Sequence, residues 1–427
     1  MIKRILRLQL HWQILIALLF AVVMGSVTGT EAGILNLTFL QIYNFLGALF
    51  LNALKMLIVP LVMSSIVVGV MGLGTGEHLA RLGLKTMIYF LATSLLAILT
   101  GLVLVNLISP GIIDGQAAKA VMGLSSDVHV IENAVSDRGA GDVVEIFLRM
   151  VPDNIVMAAA QGEMLGLIFF SLLFGFFLMF VEGAPGETLR NFWQGVFDVM
   201  MRITNLVMRF APIGVFALVA KVVATTGLAA FKPLMYFFIT VLLGLALHFF
   251  VSTSIILRLL GRVNPLRHYR AMAPALLTAF STSSSSATLP VTMECVEQRA
   301  GVSNKVCSFV LPLGATVNMD GTALYECVAA MFIAQAYGLD LTFSTQFVIV
   351  MLALVTSIGV AGIPSASLVA ISVILAAIGL PLEGIGLILA VDRVLDMCRT
   401  AVNVYGDTVG AVVIARFEGE TEILKKA

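Results

Sequence analysis

The sequence predicts an all-α polytopic membrane protein, and its composition, its long apolar runs and the placement of its charges are the observations that predict it. Of the 427 residues, 59% are hydrophobic and 12% are charged, whereas soluble domains carry about 25% charged residues. The mean hydropathy is +1.04. Several nearly uncharged runs approach the length of about 20 residues that a helix needs to cross a bilayer. No run alternates as the strands of an outer-membrane barrel would.

Charge balance and cysteine spacing exclude other classes of function. The chain has 25 basic and 25 acidic residues, so it offers no basic field for nucleic acid. The cysteines lack CxxC spacing and lie in apolar or re-entrant contexts, which favours small buried hydrophobes over a disulfide or a zinc site. They are Cys295, Cys307, Cys327 and Cys398.

The ends of the chain and its basic loops predict the topology. Residues 1–7 are basic and precede an apolar run, as in a signal peptide, but no clear cleavage site follows, so we expect a retained first helix. Lys and Arg in short loops mark the cytoplasmic side of a membrane. Arg81, the basic cluster 258–270 and Lys426 are therefore expected inside, whereas Glu31 is expected outside.

Counting between these marks gives six spans before Arg262, with both termini in the cytoplasm. The expected spans are 11–29, 38–72, 85–108, 150–182, 190–224 and 230–259. The polar stretch 111–142 is expected to be an external excursion without chemistry.

From residue 271 onward, Ser, Gly and Pro interrupt shorter apolar segments. The polar run 281–286 has about ten apolar residues on each side, which is half a span. A Ser-rich linker is the alternative, but a polar run at membrane depth must line a cavity, and the short flanks favour a re-entrant hairpin.

The small-residue tip 358–367 lies between a second pair of half-length arms, 347–357 and 368–378. Paired broken segments mark the binding site of many transporters. Their helix N-termini direct positive dipole ends at an anionic ligand.

The segment 306–336, between the two hairpins, is long enough to span, yet it carries polar groups in its middle. Asn318, Asp320 and Thr322 surround the helix-breaking Gly321. An unwound turn here would expose carbonyl oxygens, which hard cations such as sodium prefer as ligands. Polar contacts between helices are the alternative interpretation.

The last apolar helix, 384–414, contains a stripe of charged and polar residues. Each charge at a helix centre costs about 2.5–3.5 kcal/mol on insertion scales, which indicates a function. Five members lie within a wedge of roughly 80°, Thr400 lies at its edge and Arg393 just outside. The five are Asp392, Asp396, Arg399, Asn403 and Asp407. Internal salt bridges that stabilise a helix bundle are the alternative.

These side chains suit a ligand with one ammonium and two carboxylates, namely aspartate or glutamate. Arg399 can grip a carboxylate with two hydrogen bonds. Asp396 can accept an ammonium, and Asn403 can bond an α-carboxylate. Asp407 remains, and with carbonyl oxygens of Gly314 and Asn318 it would form a cation site.

At these residues the chain resembles the dicarboxylate/amino acid:cation symporters, the family of archaeal aspartate and eukaryotic excitatory amino acid transporters. The similarity runs through the whole chain. The motifs that carry it are Ser283–Ser286 with Ala-Thr-Leu-Pro after it, Asn318–Thr322, Gly359–Pro364, Asp396-x-x-Arg399-Thr400-x-x-Asn403-x-x-Gly406-Asp407, and Ala211–Gly214.

The resemblance implies an elevator-type glutamate transporter fold of eight transmembrane helices and two re-entrant hairpins. It implies a homotrimer in the inner membrane, whose transport domain slides against a scaffold. The scaffold would comprise 1–84 and 150–259, except that the helices at 85–108 and 230–259 would move with the transport core. The core would be 260–418, with a hairpin at 264–299, a helix at 305–336, a hairpin at 343–378 and a helix at 382–416, before a cytoplasmic tail at 419–427.

The resemblance also implies a substrate site. Arg399 would bind the side-chain carboxylate and Asp396 the amino group, and the second hairpin would be the outer gate. The implied substrate-binding residues are Ser283, Ser284, Ser285, Thr322, Gly362, Ile363, Asp396, Arg399, Thr400 and Asn403.

Three sodium sites are implied, with sodium as a transported ion and not a catalytic cofactor. The first comprises Gly314, Asn318, Asn403 and Asp407. The second comprises backbone oxygens of Thr316, Ser357, Ile358 and Val360. The third comprises Phe90, Thr93, Ser94, Asn318 and Asp320.

Two positions separate branches of the resembled family. Plain dicarboxylate carriers lack the carboxylate matching Asp396, and neutral amino acid carriers lack the arginine matching Arg399, so this chain is expected to carry acidic amino acids.

Glu326 matches the proton-carrying glutamate of the eukaryotic branch, and a structural acid is the alternative. The chain has no arginine at Ser283 or Met397, where relatives carry one, and Arg393 is expected to supply that charge. Phe90 replaces a tyrosine, with little consequence because only its carbonyl would be a ligand.

The expected function is sodium-driven symport of glutamate or aspartate, with proton co-transport as an additional expectation. The expected partners are the substrate, sodium, the bilayer and two further copies of the chain. A proton-coupled glutamate or C4-dicarboxylate symporter is the alternative. An enzyme is not expected, because a nucleophilic serine needs a base and every histidine precedes the Ser-rich run. A pure channel would need no pair of gates around one site.

Overall fold

The described part of the chain is mostly helical. The coordinates are a computed structural model, which describes residues 10–34, 37–71, 77–118, 151–161, 164–227, 231–359, 367–381 and 384–424. The helices are α1 (Leu10–Thr28), α2 (Phe39–Met71), α3 (Glu77–Ile108), α4 (Ile155–Gln161), α5 (Met164–Leu178), α6 (Gly183–Arg209), α7 (Ala211–Thr226), α8 (Phe231–Gly261), α9 (Pro265–Thr282), α10 (Ser285–Glu294), α11 (Asn304–Val317), α12 (Asp320–Ala336), α13 (Phe343–Gly359), α14 (Ser367–Ala377) and α15 (Gly384–Phe417).

Two small antiparallel hairpins occur in connections between helices. Strands β1 (Gly33–Ile34) and β2 (Leu37–Thr38) pair before α2. Strands β3 (Ile112–Ile113) and β4 (Gln116–Ala117) pair after α3. The second hairpin opens the excursion predicted at 111–142, and the remainder of that excursion from residue 119 lies outside the described residues.

The helices agree with the predicted spans at several places and differ at two. Helix α3 begins at Glu77 rather than at residue 85. The span predicted at 190–224 covers two helices, α6 and α7, which are bent by 52° at their junction, so a single span there stays a prediction. Pro212 lies in the first turn of α7, where its missing N–H costs nothing, so a new helix starts there.

Two helices among the described residues are long and apolar enough to cross a bilayer. They comprise Arg81–Ile108 of α3 and the whole of α8, and the bent pair α6–α7 is a third if it counts as one span. Shorter apolar segments occur in α1, α2, α5 and α13. The figure of eight spans stays a prediction.

Large apolar side chains are exposed on the outside of several helices. The exposed fraction is 72% for Leu19, 76% for Val27, 76% for Leu107 and 69% for Leu259. Large apolar side chains exposed in this number favour contact with lipid or with another apolar partner.

The helices pack in two groups. In one, α1 packs along α7, and α2 packs against α5, α6 and α7. In the other, α3 packs against α8 and α12, and α15 packs against α9, α11 and α12. Helix α7 also contacts α15, which joins the groups. The division into a scaffold and a transport core stays a prediction.

Charged side chains at the end of α15 and just after it form contacts with two other helices. Glu418 pairs with Lys85 of α3 at 2.6 Å and with Arg81 at 3.6 Å. Arg416 donates to the carbonyl of Gly261 at 2.8 Å. The end of α15 is therefore tied to α3 and to the end of α8.

Candidate transport site

The charged stripe of α15 is buried, and its charges pair with one another. Arg399, which is 1% exposed, donates from Nη2 to Asp392 at 3.1 Å and to Asp396 at 2.9 Å. Nε and Nη1 of Arg399 have no hydrogen-bond partner among the described residues. Unpaired buried donors are costly, so these two nitrogens are where a further acceptor would be stabilising.

The ring of Tyr325 on α12 stacks against this guanidinium. Arg399 Cζ lies 3.8 Å from the centroid of the Tyr325 ring. A cation over a buried ring is stabilised by the negative face of the ring. Sequence reasoning missed Tyr325, because nothing in the pattern of α12 distinguishes it from a core residue.

Arg393 reaches the stripe although its helical position lies just outside it. Its Nη1 donates to Asp396 Oδ2 at 3.1 Å. Asp396, the predicted ammonium acceptor, thus lies between Arg393 and Arg399. The hydroxyl of Thr400 donates to the carbonyl of Asp396 at 2.8 Å, which places Thr400 beside the same carboxylate.

The predicted unwound turn is present between α11 and α12. Asn318 and Met319 leave helical geometry, with ψ of 90° and 52°. Asn403 of α15 satisfies the freed donors, since its Oδ1 accepts from Gly321 N at 2.8 Å and from Thr322 N at 3.3 Å. Its Nδ2 donates to Thr322 Oγ1 at 3.0 Å. Asn403 therefore bridges the turn and the charged stripe.

Glycine at 321 permits this close approach. A Cβ at this position would lie 2.8 Å from the carbonyl oxygen of Arg399 and 3.1 Å from its Cα. Backbone atoms cannot move aside as a flexible side chain can, so α12 and α15 meet here only because the residue is glycine.

Three of the four residues predicted for the first sodium site lie in contact. Asp407 Oδ1 accepts from Asn318 Nδ2 at 3.0 Å. A Cβ on Gly314 would come within 2.5 Å of the same carboxylate oxygen, and the Gly314 carbonyl accepts from Asn318 N at 2.9 Å. The fourth, Asn403, lies one turn before Asp407 on α15.

The residues predicted for the third sodium site also converge. Asp320 Oδ1 accepts from Ser94 Oγ at 2.7 Å and from Thr93 Oγ1 at 3.3 Å. Thr93 Oγ1 also lies 3.1 Å from the Phe90 carbonyl oxygen and 3.5 Å from Asn318 Oδ1. Carboxylate, carbonyl and hydroxyl oxygens in one buried cluster are the ligands that a hard cation prefers.

His248 of α8 joins this cluster, which sequence reasoning did not foresee. Its Nε2 lies 3.3 Å from Asp320 Oδ2, and the side chain is fully buried. The histidine begins a π-helical turn that interrupts α8. No periodic signal around His248 connects it to Asp320, which is distant in sequence.

The second predicted sodium site and the second hairpin are described in part. Ser357 is buried on α13, which contacts α11, where Thr316 lies. Val360, Gly362 and Ile363 lie outside the described residues, as does the rest of the tip at 360–366. The side chain of Ile358 is likewise outside the description.

The first hairpin has the predicted turn at its serines. Ser283 ends α9 in the left-handed region with φ of 51°, and Ser284 caps α10 by accepting from Ala287 N at 3.2 Å. Ser283 and Ser285 are buried, and Ser283 Oγ has no partner among the described residues. Helix α10 contacts α15, so these hydroxyls belong to the same half of the molecule as the stripe.

Glu326 is a fully buried acid between α12 and α13. Its Oε2 accepts from Thr356 Oγ1 at 2.8 Å, and Oε1 has no partner in the described part of the chain. Ion pairs within that part do not include Glu326. The group is therefore held by a hydroxyl rather than by a fixed cation in contact.

The chain is similar to known transporters over nearly its whole length. The family model for the sodium:dicarboxylate symporter family matches residues 10–417. A proton/glutamate-aspartate symporter from Escherichia coli strain K12 is 37% identical over 97% of this chain and 94% of its own length. A proton/sodium-glutamate symport protein from Geobacillus stearothermophilus is 36% identical over 97% of this chain and 96% of its own.

A mammalian transporter is also similar. Excitatory amino acid transporter 3 from mouse is 34% identical over 95% of this chain and 85% of its own length. The matched region contains every element of the site described above. The chain belongs to the sodium:dicarboxylate symporter family and is a multi-pass membrane transporter rather than an enzyme.

Proposed function

We propose that this chain is a secondary active symporter that moves glutamate or aspartate across the inner membrane, driven by the sodium gradient. The relatives named for glutamate or aspartate symport support this substrate class. The observation that carries the proposal is the buried Arg399 guanidinium, whose Nε and Nη1 remain available to an anionic ligand.

In the proposed substrate complex, Arg399 binds the side-chain carboxylate and Asp396 accepts the amino group. Asn403 bonds the α-carboxylate. The site is completed by Thr322, Thr400, the hairpin serines Ser283, Ser284 and Ser285, and the backbone of Gly362 and Ile363. The contacts of Arg399, Asp396 and Asn403 support the assignment, because all three side chains are buried on adjacent turns of α15.

Sodium compensates the net negative charge of the substrate. We assign one sodium ion to Gly314, Asn318, Asn403 and Asp407, and another to Phe90, Thr93, Ser94, Asn318 and Asp320. A third is assigned to backbone oxygens of Thr316, Ser357, Ile358 and Val360. The dense buried oxygen clusters around Asp320 and Asp407 support the first two assignments.

The transport motion is an elevator in a homotrimer with cytoplasmic termini. Residues 260–418, with α3 and α8, form the moving core, and the remainder of 1–84 and 150–259 forms the scaffold. The separate packing groups support this division, and the contact between α7 and α15 is part of the sliding interface. Exposed apolar side chains on α1 and α3 support contact with lipid or with neighbouring copies.

Uptake into liposomes tests the proposal. Purified protein in liposomes with an inward sodium gradient is expected to accumulate radiolabelled aspartate and glutamate. Replacing external sodium by potassium is expected to stop accumulation. Uptake that ignores sodium and follows a proton gradient would favour the proton-coupled alternative, and uptake of succinate without either amino acid would favour a C4-dicarboxylate carrier.

Proton coupling is a second expectation that rests on Glu326. A carboxyl held by one hydroxyl can exchange a proton without breaking an ion pair. The variant Glu326→Gln is expected to flatten the pH dependence of net sodium-driven uptake while retaining exchange of internal for external aspartate. Glu187→Gln, an exposed change on α6, is the matched control and should keep the wild-type pH profile. A wild-type pH dependence of uptake in Glu326→Gln would show that Glu326 does not carry the proton and has a structural role.

A further inference from the structure

Arg393 holds the carboxylate that the substrate amino group is proposed to use. Asp396 Oδ2 accepts from Arg393 Nη1 at 3.1 Å, while Asp396 Oδ1 accepts from Arg399 Nη2 at 2.9 Å. Arg393 is 5% exposed, so this pair is not screened by bulk water. An ammonium that approaches Asp396 must therefore share this carboxylate with Arg393 or displace it.

The buried charges balance when no substrate is present. Asp392 and Asp396 oppose Arg393 and Arg399, which gives a net charge of zero within this cluster. Without Arg393 the cluster would carry an extra negative charge beside the place where the substrate carboxylates bind. An ammonium could neutralise that charge, but a ligand without an amino group could not, and breaking a buried pair is strongly unfavourable.

Arg393 also lies beside Asp392, the other acid of the cluster, at the wall of a cavity. A small cavity lies against its side chain, between α15, α14 and the scaffold helices. Its lining residues are Ile14, Phe50, Ala211, Val215, Leu368, Leu389, Asp392 and Arg393. Among the described lining residues Asp392 is the one acid, and it already accepts from Arg399 at 3.1 Å, so a guanidinium displaced from Asp396 would have to share this carboxylate.

We propose that Arg393 is a specificity-determining residue that stands in for the substrate ammonium on Asp396 and thereby sets how strictly the site requires an amino group. When aspartate or glutamate binds, its ammonium replaces Arg393, which turns towards Asp392. When an anion without an amino group binds, Arg393 stays on Asp396 and keeps it neutralised. This inference rests on the proposed binding of acidic amino acids by Arg399 and Asp396.

The test compares aspartate with succinate, which has the same two terminal carboxylates and no amino group. The measured quantity is the ratio of the succinate inhibition constant to the aspartate KM in sodium-driven liposome uptake. Arg393→Met removes the charge and fills similar space with a flexible apolar side chain. We expect this ratio to rise about tenfold or more in Arg393→Met, because Arg399 alone then opposes Asp392 and Asp396, and the surplus negative charge repels succinate but is neutralised by the ammonium of aspartate.

Arg393→Lys keeps the charge and is expected to hold the ratio near the wild-type value. Arg202→Met, an exposed change on α6, is the matched control and should leave the ratio unaltered. An unchanged ratio in Arg393→Met, or a parallel loss of affinity for both compounds, overturns the inference. If Arg393→Met does not reach the membrane, Arg393→Gln replaces it. If neither variant reaches the membrane, the wild-type protein is tested for inhibition of aspartate uptake by succinate. No inhibition at a thousandfold excess of succinate also overturns the inference.

A failure of the proposed function gives a different result. In that case wild-type liposomes would show no sodium-driven uptake of aspartate or glutamate. An unchanged ratio in a wild-type protein that does transport aspartate counts against Arg393 alone.

Discussion

Arg399→Cys is expected to abolish sodium-dependent binding of aspartate and glutamate, with a loss of affinity of about 100-fold or more. The guanidinium is 1% exposed and faces Asp392 and Asp396 at hydrogen-bond distance. Its removal takes away the proposed carboxylate ligand and leaves Arg393 alone to oppose Asp392 and Asp396, so the cluster gains a surplus negative charge that repels an anion. Because Asp396 still offers an ammonium acceptor, the variant is expected to admit neutral amino acids.

Isothermal titration of the detergent-solubilised protein at saturating sodium measures this effect. Arg202→Cys introduces the same side chain at an exposed position and should bind aspartate as the wild type does. Serine or alanine binding by Arg399→Cys would show that the variant is folded. Arg399→Lys provides a second folded variant, since it keeps the charge without the planar fork. Retained aspartate affinity in Arg399→Cys would remove Arg399 from the substrate site.

Asp407→Asn is expected to raise the sodium concentration that gives half-maximal aspartate binding by about tenfold or more. The change preserves shape but removes the carboxylate charge from the cluster with Gly314 and Asn318. Hard cations bind charged oxygen ligands in preference to amide oxygens, so the first sodium site weakens most. The new amide also places an NH₂ group where Asn318 Nδ2 now donates at 3.0 Å.

A sodium titration of aspartate binding checks this prediction. Asp114→Asn is the control, because Asp114 is 84% exposed and pairs with Lys232 in the connection after α3. That variant should give the wild-type sodium curve. An unaltered curve for Asp407→Asn would exclude Asp407 from sodium binding and leave the cluster around Asp320 as the candidate.

The sequence predicted the parts of the site that depend on periodicity and on helix breakers. The stripe on α15 follows from spacing, because residues three and four apart share a helix face. The turn at Asn318–Met319 follows from polar residues beside Gly321 in an otherwise apolar span. The turn at Ser283–Ser284 follows from two short apolar arms around a serine run.

Other features depend on contacts between distant segments, which a single sequence does not report. The positions of Tyr325 beneath Arg399 and of His248 beside Asp320 are determined by helix packing. Arg393 was expected to supply a positive charge to the site, but its pairing with Asp396 depends on the reach of a long side chain, which the helical angle does not report. The bend between α6 and α7 did have a signal in the sequence, because Pro212 disfavours helical geometry in the residue before it.

Asn403 has a consequence for the energetics of transport. Its amide contacts the first residues of α12. Its helix, α15, carries both the Arg399 guanidinium and Asp407. A ligand that orders the substrate site therefore also orders the sodium site. If binding of the ion raises affinity for the amino acid by some factor, thermodynamic linkage requires the amino acid to raise affinity for the ion equally. Protein that holds only sodium, or only the amino acid, would then be less populated than protein that holds both, which limits transport of either one alone.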